Sequence, residues 1–255
     1  MKMAVIGCGL IGGSMALSWK RAGIVDEVIA FGHNPATLQK ALDKGAADTV
    51  TTSMEEAVKD ADIVVSAVPV EAMESVFTEM APFLKSDAVV TDVGSTRQTV
   101  IAAARKGLGD KFHQYAPAHP IAGGEMPGVD YASADLFDEK VVISTPDEGM
   151  DPKVVTFIEE AWRKAGARVQ AMSPLQHDLT FASVSHLPHV IASSLVNLVH
   201  DHDTQEGTMK LVAAGGFKDI TRIASSSPQM WEAICMTNSS NIADLLDDYI
   251  ESLKD

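Results

Sequence analysis

The sequence predicts an α/β fold: a doubly wound parallel sheet in the first two thirds of the chain, followed by an all-helical domain. Three observations carry this. Short β-branched runs alternate with helical stretches, the pattern of parallel βαβ units with helices on both faces. Two of the runs, DIVVSAV (62–68) and DAVVTDV (87–93), are apolar almost throughout, as strands covered on both faces are. After about Ser173 the alternation stops, and only helical periodicity remains.

In chain order, Met3–Gly7 reads as a strand and Leu10–Ala22 as a helix, then Glu27–Phe31 as a strand and Ala36–Lys44 as a helix. Ile63–Ala67 is a strand, Glu71–Leu84 a helix, Ala88–Asp92 a strand and Arg97–Lys106 a helix. Two further strands, Lys140–Ser144 and Arg168–Ala171, flank a helix over Pro152–Lys164. From Pro174 to Lys254 every periodic stretch reads as helix, interrupted at GGFKD (215–219) and SSSPQ (225–229). The final stretch, NIADLLDDYIESL, spaces its apolar residues three and four apart, as an amphipathic helix does. The expected boundary therefore lies near residue 172, between an α/β domain (1–172) and a helical domain (173–255).

With 255 residues, 46% of them hydrophobic and 22% charged, the chain has an ordinary globular composition. Its net charge of −15 argues against nucleic acid, which needs clustered Lys and Arg. An acidic protein still binds a small anion when a few cations line one cleft. Cys8 and Cys235 lie far apart and fit no metal-ligand spacing, so no metal site is expected and a reducing, cytoplasmic setting is. The N-terminus shows no leader-like cleavage region. Leu179–Val199 lacks Asp, Glu, Lys and Arg, but eight of its 21 residues are Ser, Thr, His or Asn, and Pro188 interrupts it. The expectation is a helix buried in the protein or in a dimer, and no membrane partner.

GCGLIG places Gly7, Gly9 and Gly12 between a strand and a helix, with Leu10 and Ile11 opening the helix. The three glycines serve a tight turn, backbone approach to a pyrophosphate and close helix–strand packing. The helix N-terminus adds free N–H groups and a partial positive charge. This is the dinucleotide site of a Rossmann-type domain, and Val68 and Pro69, after the Ile63–Ala67 strand, are assigned to it. The second strand should end in a carboxylate that bonds the ribose 2′-hydroxyl. The sequence there is AFGHNPAT, with none. Gly32, His33, Asn34 and Thr37, with Lys40 beyond, leave room for a 2′-phosphate, which favours NADP over NAD although no arginine is present.

Three further stretches stand out: DVGSTR (92–97), HPIAGGE (119–125) and SHLPH (185–189), with GGFKDITR (215–222) downstream. Ser95 follows a buried strand, where ligands bind in open sheets, although by itself it also suits a helix N-cap. His119 is either a satisfied polar group at a strand end or a base at a site mouth. His186 and His189 share one face if helical. Arg222 is the only arginine after residue 172, in a segment with 4 Lys+Arg and 11 Asp+Glu. It suits a bidentate carboxylate clamp, or an ion pair with one of those acids.

Together GCGLIG, DVGST, HPIAG, SHLPH and GGFKDITRIA, with Trp231 nine residues after Arg222, resemble the prephenate/arogenate dehydrogenase family of tyrosine biosynthesis over nearly the whole chain. The resemblance implies a Rossmann domain, a helical dimerisation domain and an active site between them in a homodimer. It implies that His119 accepts the proton of the substrate's ring hydroxyl and that Ser95 holds His119 and the hydroxyl in register. His189 and Arg222 would meet the substrate carboxylates, with Glu125 near the same pocket. Trp231 falls in a segment that in the family approaches the partner's site, and His186 has a weaker role. The expected reaction is oxidative decarboxylation of prephenate to 4-hydroxyphenylpyruvate, with hydride passing to the nicotinamide. Arogenate is the alternative substrate, and a non-catalytic nucleotide-binding module the alternative of another class. The chain ends soon after its helical domain, so any tyrosine feedback is expected to act at the active site and to be competitive with substrate.

Overall fold

The computed structural model describes residues 1–124 and 126–254. The chain folds as two compact units, Met1–His177 and the segment from Asp178 onward. In the first unit, β1 (Lys2–Ile6), α1 (Leu10–Arg21), β2 (Glu27–Phe31), α2 (Pro35–Asp43), β3 (Thr49–Thr51) and α3 (Met54–Val58) form one half-sheet with its crossovers. β4 (Ile63–Ser66), α4 (Met73–Met80), β5 (Val89–Asp92), α5 (Arg97–Leu108) and β6 (Tyr115–Ala116) form the other. The sheet is parallel throughout, in the order β3-β2-β1-β4-β5-β6. Right-handed crossovers that step outward in opposite directions from β1 and β4 put α1 and α4 on opposite faces.

The central strands explain their own apolar sequence. Met3 to Ile6 and Ile63 to Val65 are fully buried, and each Met, Val or Ile side chain among them contributes about 1.5–3 kcal/mol on leaving water. On the α1 side, Trp19 meets Trp162 edge-on at 5.5 Å, and Phe137 meets Trp162 at 5.0 Å. These contacts fasten α1 to α6 (Pro152–Lys164).

A second, three-stranded sheet was not anticipated. β7 (Ala118–Pro120) runs antiparallel to β8 (Val141–Ser144), which pairs parallel with β9 (Arg168–Ala171). Pro117, alone between β6 and β7, has no N–H to continue the first ladder, so the chain leaves one sheet and enters the other at that residue. The expected helix over 71–84 is shorter: α4 has a 3-10 turn on either side, Val70–Ala72 and Ala81–Phe83, the second containing Pro82. Proline cannot donate within a helix interior.

α7 (Pro174–Phe181), which begins in the first unit, passes through a π-helical turn, Ala182–His186, into α8 (Leu187–His202) of the second. The division between the units falls inside α7, a few residues beyond the end of β9. Pro188 stands in the first turn of α8, straight after the widened turn, where its missing N–H is least costly. α9 (Thr208–Val212), α10 (Gly215–Thr221), α11 (Pro228–Thr237) and α12 (Ser239–Ser252) complete the helical unit. The apolar stretch Pro174–His202 has only 22% of its most apolar window buried within the chain. Val184, Leu198, Leu211, Val212, Ile220 and Met236 are exposed.

Candidate active site

The strand order reverses between β1 and β4, and ligands of open α/β sheets bind outside the carboxyl ends at such a point. Gly7 follows β1 with φ +94°, and a Cβ there would lie 2.7 Å from the Ala67 carbonyl oxygen and 3.1 Å from Val68 Cγ1. The turn after β1 and the loop carrying Val68 and Pro69 therefore abut. Gly12 is as constrained, since its Cβ would collide with the Gly7 carbonyl. Gly9 differs: nothing lies within 4 Å of its Cβ position, and it opens α1 with no side-chain cap and no acidic residue in the first turn. Open space at that position, beside the first N–H groups of α1, fits a dinucleotide pyrophosphate. Cys8 within this turn is buried, and burial pushes its thiol up to about 11, so it stays protonated at neutral pH.

At the end of β2, Gly32 and His33 lead into α2. Asn34 is committed locally, its side chain accepting from Ala36 N at 2.9 Å and Thr37 N at 3.4 Å as the helix cap. His33 is exposed, with its ring edge-on to Phe31 at 5.2 Å. Lys40 pairs with Asp130, an exposed contact.

The DVGSTR loop rests on a buried ion pair. Arg97 donates to both carboxylate oxygens of Asp92 at 2.8 Å and to the Gly94 carbonyl at 2.8 Å, while Gly94 N donates to Asp92 Oδ1 at 2.7 Å. Tyr115 donates its hydroxyl proton to Asp92, and Arg97 Nε donates to Thr145 Oγ1 at 3.2 Å. Burial and the Asp92 charge hold the Tyr115 phenol well above its ordinary value, so it remains a donor. Ser95, half-buried, is carried by the turn this network fixes. It is not the cap of α5, which begins after Thr96 with no side-chain cap bond.

His119 is the middle residue of β7, paired opposite Ile143. Ala118 and Pro120 are buried, so strand alternation turns the imidazole to the other face. There His119 Nδ1 lies 2.8 Å from His177 Nε2, with ring centroids 5.0 Å apart. His177, fully buried, sits in the first turn of α7, where Ser173 accepts from Gln176 N through its hydroxyl and from His177 N through its carbonyl. Downstream of His119, a Cβ on Gly124 would lie 3.4 Å from Leu10 Cδ2. The HPIAGG loop thus reaches the start of α1, beside the glycine turn. Glu125, the next residue, lies outside the described residues.

In the helical unit, SHLPH brings its two histidines to one indole. His189 stacks on Trp231 with ring centroids 3.4 Å apart and planes 19° apart, and His186 meets the same ring edge-on at 6.0 Å. His186 is a buried core histidine: Asn238 Nδ2 donates to its Nδ1 at 3.0 Å and also to the Asp178 carbonyl at 2.8 Å. His189 Nδ1 donates to the Ser185 carbonyl at 3.2 Å, which leaves Nε2 without a proton while the ring is neutral. Burial lowers its pKa, against a smaller raising effect of that hydrogen bond. Arg222 is exposed and opens the 3-10 turn Arg222–Ser225 after α10.

The family model for the prephenate dehydrogenase nucleotide-binding domain matches residues 15–171, and that for the prephenate dehydrogenase dimerization domain matches residues 173–255. The chain belongs to the prephenate dehydrogenase family. It is 36% identical to the cyclohexadienyl dehydrogenase of Zymomonas mobilis over 99% of this chain and 86% of that protein. It is also 36% identical to the prephenate dehydrogenase of Bacillus subtilis, over 97% of this chain and 67% of that one. The crystal structure of prephenate dehydrogenase from A. aeolicus in complex with hydroxyphenyl propionate and NAD+ superposes with a TM-score of 0.93 at 35% identity, covering 100% of this chain and 88% of that chain. Synechocystis arogenate dehydrogenase superposes with a TM-score of 0.83 at 26% identity, covering 100% of this chain and 90% of that chain. The chain is accordingly an oxidoreductase of this family, with an NAD(P)-binding domain.

Sequence reasoning passed over His177. Its signal was available in SPLQHD (173–178): a Ser-Pro helix start followed one turn later by a histidine, in a chain with only eight histidines. A separate cavity of about 540 Å³, lined by Gln98, Ile101, Arg105, Lys106, Asp147 and Leu175, holds none of the expected site residues. Its cations are engaged, Arg105 with Asp147 at 3.0 Å and Lys106 with Glu74 at 2.5 Å.

Proposed function

We propose that this chain is a prephenate dehydrogenase that converts prephenate to 4-hydroxyphenylpyruvate and carbon dioxide, with His119 as the base. The observation that carries the reading is the placement of His119: it stands on a strand whose outgoing loop touches the helix start beside the glycine turn. The relatives at 35–36% identity that are named for prephenate support prephenate over arogenate.

Gly7, Gly9, Leu10, Ile11 and Gly12, with Val68 and Pro69 opposite, would hold the dinucleotide at its pyrophosphate, and its nicotinamide would supply the hydride acceptor. His119 Nε2 takes the proton of the ring hydroxyl as hydride leaves the carbon that bears it. The electrons of the breaking carbon–carboxylate bond then flow into the ring, carbon dioxide departs, and the proton on His119 returns to the new phenol oxygen. The base is thus restored in each cycle, which suits a side chain that exchanges protons near neutral pH. Ser95 hydrogen-bonds the same hydroxyl. Arg222 clamps the side-chain carboxylate through both nitrogens, and His189 faces the ring carboxylate through Nε2. Their effect is largely orientation of the reacting carbon.

We also infer that the chain accepts NADP in preference to NAD, because no carboxylate follows β2 and His33 stands exposed there. A homodimer that covers the apolar faces of the π-helical turn and of α8 accounts for the exposure of Val184 and Leu198 in a protein working in the cytoplasm. Light scattering of the purified chain would return about 54 kDa for the dimer, twice its 27.1 kDa.

Initial rates with prephenate or arogenate, each with NAD or NADP, test the reading. The highest kcat/KM is expected for prephenate with NADP. No turnover with any pair would leave a nucleotide-binding module in its place.

A further inference from the structure

His119 Nδ1 and His177 Nε2, 2.8 Å apart, are both nitrogen atoms of imidazoles. A hydrogen bond between them requires that one carry the proton and the other the lone pair. The two arrangements have different chemical consequences. If His177 donates, neutral His119 bears its own proton on Nε2 and has no lone pair there for a substrate proton. If His119 donates from Nδ1, its Nε2 is bare, and the same bond persists unbroken once Nε2 is protonated.

We propose that His177 is a positioning residue for His119: its Nε2 accepts from His119 Nδ1–H, selecting the tautomer whose Nε2 is bare. The inference rests on the reading of His119 as the base. The setting favours a fixed role. His177 is fully buried, its backbone is locked by the Ser173 start of α7, and β7 is pinned opposite Ile143. Two rings held on two rigid elements lose little freedom in forming the bond. The second nitrogen of a working histidine ordinarily meets such a partner. Here the partner is an imidazole, which accepts without adding a formal negative charge to a site that must already take in a doubly anionic substrate.

The test compares His177→Ala, His177→Gln and His119→Asn with the parent enzyme, using prephenate and NADP or NAD. Gln can place its Oε1 near the position of Nε2 and accept the same bond. His177→Ala is expected to lower kcat about 10- to 100-fold, with KM for prephenate and for cofactor within about twofold. His177→Gln is expected to recover most of the loss. In the parent enzyme, ¹⁵N NMR of the imidazoles is expected to show His119 protonated at Nδ1 and bare at Nε2, and in His177→Ala a mixture of tautomers. An unchanged kcat in His177→Ala, equal damage in Ala and Gln variants, or an Nε2–H tautomer in the parent would each overturn the proposal. The parent NMR and the Gln variant decide it even if His177→Ala does not fold. Loss of activity in His119→Asn together with a silent His177→Ala would refute this inference alone. Activity retained in His119→Asn would refute the base assignment beneath it.

Discussion

Arg97 grips Asp92 through both terminal nitrogens, each at 2.8 Å, and neither side chain reaches solvent. The pair spans the DVGS turn from the end of β5 to the start of α5, so the position of Ser95 depends on it. Arg97→Met leaves Asp92 buried without its cation, which costs about 3–5 kcal/mol. Urea unfolding should show that loss in full. The double variant Asp92→Leu/Arg97→Met should be less destabilised than Arg97→Met alone, because no charge is then stranded.

The glycine turn separates binding from folding. Gly9→Ala puts a methyl group where nothing lies within 4 Å, so the fold should be untouched while the pyrophosphate is kept off the α1 N-terminus. Cofactor binding should weaken on the order of tenfold, the worth of one hydrogen bond to a charged group. Gly12→Ala drives a Cβ into the Gly7 carbonyl and should lower Tm as well. Calorimetric titration with each cofactor and a thermal melt distinguish the two.

The alternation of strand and helix was legible in the residues because β1 and β4 are apolar on both faces, and because the glycine turn needs three glycines at fixed spacing. The short elements were not. β3, Thr49–Thr51, exists through pairing with β2 and has little pattern of its own. β7 is three residues long, and Pro117 and Pro120 conceal it from any reading by β propensity. His119 was identified by its motif, but the partner that meets its Nδ1 is 58 residues away and shares no motif with it. Asn34 was expected to line the cofactor, and that its side chain also caps α2 was not anticipated. Ser95 looked like a cap and is not one.

His189 makes stability depend on acidity. Its folded pKa is lowered, mainly by burial, so below about pH 6.5, the ordinary histidine value, the unfolded chain binds the proton more readily. Its contribution is therefore complete above that pH and is lost as pH falls toward the lowered value. Replacing it with Phe should flatten the decline of the urea midpoint between pH 7.5 and 5.

The same residue should couple substrate binding to protons. With Nδ1–H committed to the Ser185 carbonyl, Nε2 can donate to a carboxylate only when the ring is protonated. KM for prephenate should rise with pH above the lowered pKa, and His189→Gln should remove that rise.

Arg222→Lys should act chiefly on binding. A lysine keeps the charge but not the two-pronged geometry, so KM for prephenate should rise by about 10-fold or more, with a smaller change in kcat. A substitution that left KM unchanged would remove Arg222 from the carboxylate.

That His119 takes the hydroxyl proton can be checked by single-turnover hydride transfer in His119→Asn, with cofactor affinity measured on the same protein. The rate of nicotinamide reduction should fall about 10²- to 10⁴-fold, with cofactor binding unchanged. A rate within a few-fold of the parent enzyme would contradict it and give the proton to another group.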